Sequence, residues 1–166
     1  MSISINYTQK EIQTLFLPIL RDKGTIFQKS KNIFARPGIL GERIITTTSD
    51  GKETENIVTD KGSFIVKNQT DAAEEYIVTK AKFEERYKWL RPAENDYAEY
   101  RPMGKIIAIK LTRKLWGALD FPTIPIYFEA PWRAPMILKK YDYMVCPLDF
   151  SEVYRIARKE FWETYK

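Results

Sequence analysis

The sequence predicts an α+β protein built of two related antiparallel β-rich units, each ending in a short helix, with an added N-terminal helix. Three observations predict it. The chain opens on an amphipathic helix signal, changes to short β-rich runs from Thr25 onward, and then resembles itself at an offset of 78 residues.

At the start, Thr8 and Glu11 have capping-box spacing, and Ile12, Leu15, Phe16, Ile19 and Leu20 fall on one helical face. Gly24 ends this helix. Pro18 lies inside it, and because proline lacks an amide donor and crowds the preceding turn, it predicts a kink or a tightened last turn. Residues 26–28, 33–36, 43–48 and 54–58 read as strands. Ser49, Asp50 and Gly51 join the last two as a hairpin, since Asp-Gly supplies the positive φ of a tight turn.

The internal similarity sets EEYIVTKAKFEERYK at 74–88 against EVYRIARKEFWETYK at 152–166. Glu74 matches Glu152, Tyr76 Tyr154, Phe83 Phe161, Glu85 Glu163, Tyr87 Tyr165 and Lys88 Lys166, six identities in 15 positions. Upstream, at an offset of 79, GSFIV at 62–66 lies against YDYMV at 141–145, both reading as strands, and FQKSKNIFA and YRPMGKIIAIK align as opening strands. Phe83 with Tyr87, and Phe161 with Tyr165, are four apart and predict an aromatic helix face docked on each sheet. Short helices of this kind hold only by such burial. Residues 89–102, rich in proline and charge, read as a linker; 112–119 predict a short helix, and 122–136 a strand, a bend at 131–133 and a strand. The expected division is therefore an N-terminal helix at 1–24, a first unit at 25–88, the linker at 89–102 and a second unit at 103–166.

Lys140, Tyr141, Asp142, Tyr143, Met144 and Val145 followed by EVYRIARKEFWETYK, and Lys61, Gly62, Ser63, Phe64, Ile65 and Val66 followed by EEYIVTKAKFEERYK, resemble the PGDYG-type family of bacterial and phage-associated proteins. In that family a hairpin enters a Pro-Gly-Asp-Tyr-like turn, runs into a short apolar strand and ends in a helix bearing Phe and Tyr. The second copy departs from the motif by lacking its proline and glycine, and the first by lacking its proline and aspartate. The resemblance implies a tandem fold and a bacterial or phage setting in which small proteins bind host components; it brings no catalytic residue onto this chain.

Composition narrows the chemistry. The 166 residues are 44% apolar, 14% aromatic and 30% charged, values of a globular chain. Histidine is absent, which removes the usual neutral-pH base, imidazole-dependent hydrolase relays and histidine-ligated metals. The single cysteine, Cys146, excludes an internal disulfide and a cysteine metal cluster. No basic leader with an apolar stretch and no run near the ~20 apolar residues of a membrane span is visible, so a soluble, cytoplasmic protein without a membrane partner is expected. Lys and Arg total 27 against 22 acids, a formal excess of five. Residues 1–88 carry 14 basic and 12 acidic groups and residues 89–166 carry 13 and 10. A nucleic-acid partner is permitted by this balance and not demanded.

These exclusions lead to a non-enzymatic binding or adaptor protein, with no catalytic residue, metal or cofactor, holding an unknown protein or small ligand at the groove between the units or at the APWRAP turn. Proline rigidity there would present Trp132 and Arg133 together, residue types common among binding anchors. Tyr154 and Arg155 complete the expected binding set. Ranked behind this is nucleic-acid binding. Lys105, Lys110, Arg113, Lys114, Arg133, Lys139, Lys140, Arg155 and Arg158 interleave with Trp116, Trp132, Tyr141 and Tyr154, a combination suited to phosphates and bases. The rival from another class is a histidine-independent enzyme acting on a nucleotide or sugar, for which Glu74 and Glu152 supply a recurring carboxylate pair. Cys146 reads as a packed residue that only a nearby cation would activate.

Overall fold

The computed structural model describes residues 3–166. In chain order the elements are α1 (Gln9–Lys23), β1 (Thr25–Gln28), β2 (Ile33–Pro37), β3 (Arg43–Thr48), β4 (Gly51–Ile57), β5 (Phe64–Asn68), β6 (Glu75–Val78) and α2 (Lys80–Arg86). They continue with β7 (Tyr87–Pro92), β8 (Ala98–Pro102), β9 (Lys105–Lys110), α3 (Arg113–Leu119), β10 (Ile126–Glu129), β11 (Pro135–Leu138), β12 (Tyr143–Pro147), β13 (Tyr154–Ile156) and α4 (Arg158–Thr164). The fold is mixed α+β, mostly β, with an N-terminal helix.

Two compact units divide the chain. One, the α1 unit, takes the residues up to Phe27 together with Lys105–Phe161; the other, the α2 unit, takes Gln28–Gly104 and Trp162–Lys166. The N-terminal helix thus groups with the later strands and not apart from both units. The last five residues group with the earlier strands, where Gln28 and Lys166 exchange two backbone hydrogen bonds of 2.8 and 2.9 Å and Ser30 N donates to Thr164 O at 2.6 Å.

In the α1 unit the capping box forms as its spacing demands: Glu11 N donates to Thr8 Oγ1 at 3.1 Å and Thr8 N to Glu11 Oε1 at 2.9 Å. The helix runs through Pro18 to Lys23 and buries Ile12, Phe16 and Leu20, each contributing about 1.5–3 kcal/mol by leaving water. They pack on Ile107, Met144 and Cys146 of the sheet ordered β1-β9-β12-β13, and on Ile126, Phe128, Met136 and Leu138 of the hairpin β10-β11. The Gln9 amide fastens the helix start to both neighbours, donating to Glu129 O at 2.6 Å and Val153 O at 3.1 Å and accepting from Val153 N at 2.9 Å. Gly24 has an ordinary φ of −68°; it is glycine because a Cβ would run into the Ile107 side chain and the Leu20 carbonyl.

The α2 unit is a five-stranded sheet ordered β6-β5-β2-β8-β7. One face carries Ile33, Ala35, Val66 and Val78 beneath Phe83 of α2, while the opposite face carries Ile65 and Ile77 beneath Ile44 of the β3-β4 hairpin and Val58 just past β4. Residues 89–102, expected as a linker, instead form most of the β7-β8 hairpin, because the prolines fall at strand ends, Pro92 opposite Ala98 and Pro102 opposite Tyr87, where they interrupt the ladder least. A register shift between Trp89 and Arg91 accommodates the pairing. Tyr87 and Tyr165 lie just past the ends of α2 and α4 and not on a helical face, although Tyr87 is still buried.

Segments 62–88 and 141–166 show the same succession of strand, strand and helix. The registers agree as well: Phe64 opposes Val78 and Val66 opposes Tyr76, as Tyr143 opposes Ile156 and Val145 opposes Tyr154.

Candidate functional site

The turn from β11 into β12 is pinned from inside. Asp142 N donates to Lys139 O at 3.1 Å, and its Oδ2 accepts from Lys139 N at 2.7 Å and from Arg155 Nε at 2.8 Å. Asp142 and Arg155 are 2% and 1% exposed, so this ion pair is a buried peg that fixes the turn. With Asp142 directed inward, Tyr141 is forced outward at a φ of 74° and is 38% exposed. Its amide donates to Leu111 O, and Leu111 N donates to Asp142 O, both at 2.8 Å, which fixes the turn beside the β9-α3 junction. Lys110 precedes that junction, and Arg113 and Lys114 open α3. Over the Tyr141 ring, Lys140 Nζ lies 6.0 Å and Arg158 Cζ 5.9 Å from the centroid, at the outer reach of cation–π attraction.

The matching turn of the α2 unit keeps cations at the same places, Lys61 for Lys140 and Lys80 for Arg158, with the Lys80 side chain beside Gly62, but it lacks the ring and the buried ion pair. Ser63 N and Oγ both donate to Asp60 O, at 3.2 and 2.8 Å, and the position equivalent to Tyr141 is Gly62, at a φ of 89°. Glycine is the residue that conformation favours, so a tyrosine there is held against its preference.

Charge is divided between the units. The α1 unit holds 13 Lys and Arg against 8 Asp and Glu, the α2 unit 14 against 14, so the whole formal excess of five belongs to the α1 unit. With Arg155, Asp142 and Glu160 buried, 12 cations face 6 anions over the remaining positions of that unit. In the α2 unit at least four of the 14 cations are in ion pairs: Arg36 with Glu42, Arg43 and Lys52 with Glu55, and Arg91 with Glu99. The Arg36 guanidinium accordingly holds the Glu42 carboxyl below the usual carboxylate range. None of Lys110, Arg113, Lys114, Lys140 and Arg158 is in an ion pair among the described residues.

The four residues expected to bind a partner are not one surface. Trp132 is half-buried against the core of the α1 unit, as is Tyr154; only Arg133 stands exposed, at a φ of 73° on the turn closed by its amide to Ala130 O at 2.8 Å. Arg155 is a correction: its guanidinium is spent on Asp142 within the core and presents nothing outside. Trp116, counted with the interleaved aromatics, is buried edge-on to Phe121. Cys146 is fully buried, and burial pushes its thiol up to about 11 against the weaker opposing field of Arg21. Glu74 accepts from Thr70 Oγ1 and is buried; among the described residues no group of three Asp, Glu or Cys is arranged to hold a metal ion.

A buried cage in the α2 unit carries no signal in the sequence. Lys29, 6% exposed, donates to Asn68 Oδ1 at 2.7 Å, Tyr76 OH at 2.6 Å and Tyr87 OH at 3.3 Å, which accounts for its three ammonium protons. Burial, then the neighbouring Tyr87, Tyr165 and Glu74, push the Tyr76 phenol well above its usual range. With every donor engaged, the cage is a structural clasp.

No family model, curated protein or solved structure matches this chain. No helix among the described residues is long and apolar enough to cross a membrane.

Proposed function

We propose that the chain is a non-enzymatic binding module whose partner is a polyanion, held on the face of the α1 unit around Tyr141. One observation carries this reading: the whole charge excess is concentrated in one unit, where Lys110, Arg113, Lys114, Lys140 and Arg158, near the β11-β12 turn, are in no ion pair among the described residues. Such a face attracts a polyanion by releasing its condensed counterions, and it steers encounter before any specific contact forms. The binding role expected from the sequence is kept, and its place moves from the Trp132 turn to the Tyr141 turn at the other end of β11, because Trp132 is committed to the core.

The test is a titration of the full chain with heparin and with oligo-dT at low and physiological salt. Binding should weaken linearly in log-log form as salt rises. Joint replacement Lys140→Glu and Arg158→Glu should weaken binding and flatten the salt slope, whereas Lys61→Glu with Lys80→Glu, the same charge change in the α2 unit, should leave the slope unaltered. Absence of binding at low salt, or an equal effect of the two pairs, overturns the reading.

A further inference from the structure

We propose that the polyanion is single-stranded nucleic acid and that Tyr141 is its base-stacking platform, an inference that rests on the polyanion reading. Tyr141 occupies a left-handed backbone position, φ 74°, where the matching turn has Gly62 at 89°. Fold alone favours glycine there, and the turn hydrogen bonds, made by backbone and by Asp142, do not use the phenol ring. What the tyrosine adds is an exposed aromatic face at the tip of a rigid turn. Strain that packing does not require is found where a side chain must be presented.

The surroundings of the ring match the repeat of a single strand, in which a base and a phosphate alternate. Lys140 and Arg158 lie 6.0 and 5.9 Å from the ring centroid, close enough to meet the phosphates flanking a base stacked on it. Lys110, Arg113 and Lys114, brought alongside by the two Leu111 hydrogen bonds, extend the cationic track for neighbouring phosphates. Each base of a duplex is covered by its neighbours, so duplex offers this ring nothing to stack on. An acidic polypeptide has charge but no flat base. Sequence preference should be weak, because every base has a π face.

The experiment measures fluorescence anisotropy of labelled oligo-dT, a DNA duplex and poly-glutamate with wild type, Tyr141→Gly and Tyr141→Phe at one low salt concentration. Tyr141→Gly should melt no lower than wild type, since glycine relieves the backbone, and should bind oligo-dT about 5- to 100-fold more weakly with the salt slope unchanged. Tyr141→Phe keeps the ring and should bind as wild type does. The single strand should bind more tightly than duplex or poly-glutamate in wild type, and that preference should disappear in Tyr141→Gly. If Tyr141→Gly binds oligo-dT like wild type, the stacking proposal is wrong while the polyanion reading survives. If poly-glutamate or duplex binds as tightly as the single strand in wild type, the partner is not single-stranded nucleic acid. If nothing binds at low salt, both fail.

Discussion

The Tyr143 ring lies flat on the Phe161 ring, centroids 3.7 Å apart and planes 9° from parallel. Phe64 and Phe83, the residues at the matching places of the other strand, strand and helix segment, stack in the same way at 4.0 Å and 13°. In both, the first residue of a strand receives the aromatic of the following seven-residue helix. A helix that short has no stability of its own, so the stack is what holds it on the sheet. Phe83→Ala and Phe161→Ala should therefore each cost about 3–5 kcal/mol. Urea denaturation gives the value, and a loss below that of an exposed substitution such as Trp162→Ala would show that the stacks do not anchor the helices.

Asp142 and Arg155 form an ion pair within the core, 2.8 Å apart, at places filled in the other segment by Ser63 and Ile77. Removing one partner strands the other charge without water, so Asp142→Ser alone should cost about 3–5 kcal/mol. The double replacement Asp142→Ser with Arg155→Ile should recover much of that loss, since no unpaired charge remains. A double-mutant cycle measured by denaturant unfolding decides it: additive losses would mean that the two residues act independently.

How much of this could be read from the sequence depended on whether the signal was local. The first helix was legible because Thr8, Glu11 and the stripe from Ile12 to Leu20 lie within about four turns, and the β3-β4 hairpin because Asp50-Gly51 marks its turn. The short helices α2 and α4, each too brief for periodicity to define, were legible through the 78-residue offset. Residues 89–102 were misread because proline and charge imitate a linker, and only the pairing of Trp89 with Tyr100 reveals strands. The charge division was invisible because the α1 unit is assembled from two separate stretches; cutting the chain at residue 88 mixes them and flattens the excess. Tyr141 was among the interleaved aromatics, but its left-handed backbone could be foreseen only from Gly62 at offset 79.

Cys146 links burial to pH. Its thiol is fully buried on β12 and pushed up to about 11 from an ordinary value of 9.0. The folded state thus binds this proton more tightly than the unfolded state does. The associated stability is complete below pH 9.0 and is lost as pH rises through about 11. Cys146→Ala should remove that component of the alkaline decline in melting temperature, at the expense of a small cavity. At pH 8 the native thiol should react with a disulfide reagent orders of magnitude more slowly than after unfolding in urea. Rapid labelling of the native chain would contradict both the burial and the raised value.

Glycine to alanine substitutions should give three different outcomes at three positions, because the glycines serve three different purposes. Gly24 closes α1 at a φ of −68°, open to any residue, but a Cβ there meets the Ile107 side chain and the Leu20 carbonyl. The carbonyl accepts from Gly24 N at 2.9 Å and cannot move without loosening the helix end, so Gly24→Ala should destabilise by about 1–3 kcal/mol. Gly41 has nothing within 4 Å of its would-be Cβ, but a φ of 85°, so alanine there should cost about 1 kcal/mol through backbone strain alone. Gly117 lies within α3 with ordinary helical geometry and open space around it, and Gly117→Ala should stabilise by about 0.5–1 kcal/mol by restricting the unfolded chain. Melting temperatures of the three variants should fall below, fall slightly below, and rise above that of the parent, in that order. If Gly24→Ala were neutral, the close approach of α1 to β9 would be wrong, because no other feature of the Gly24 backbone requires glycine.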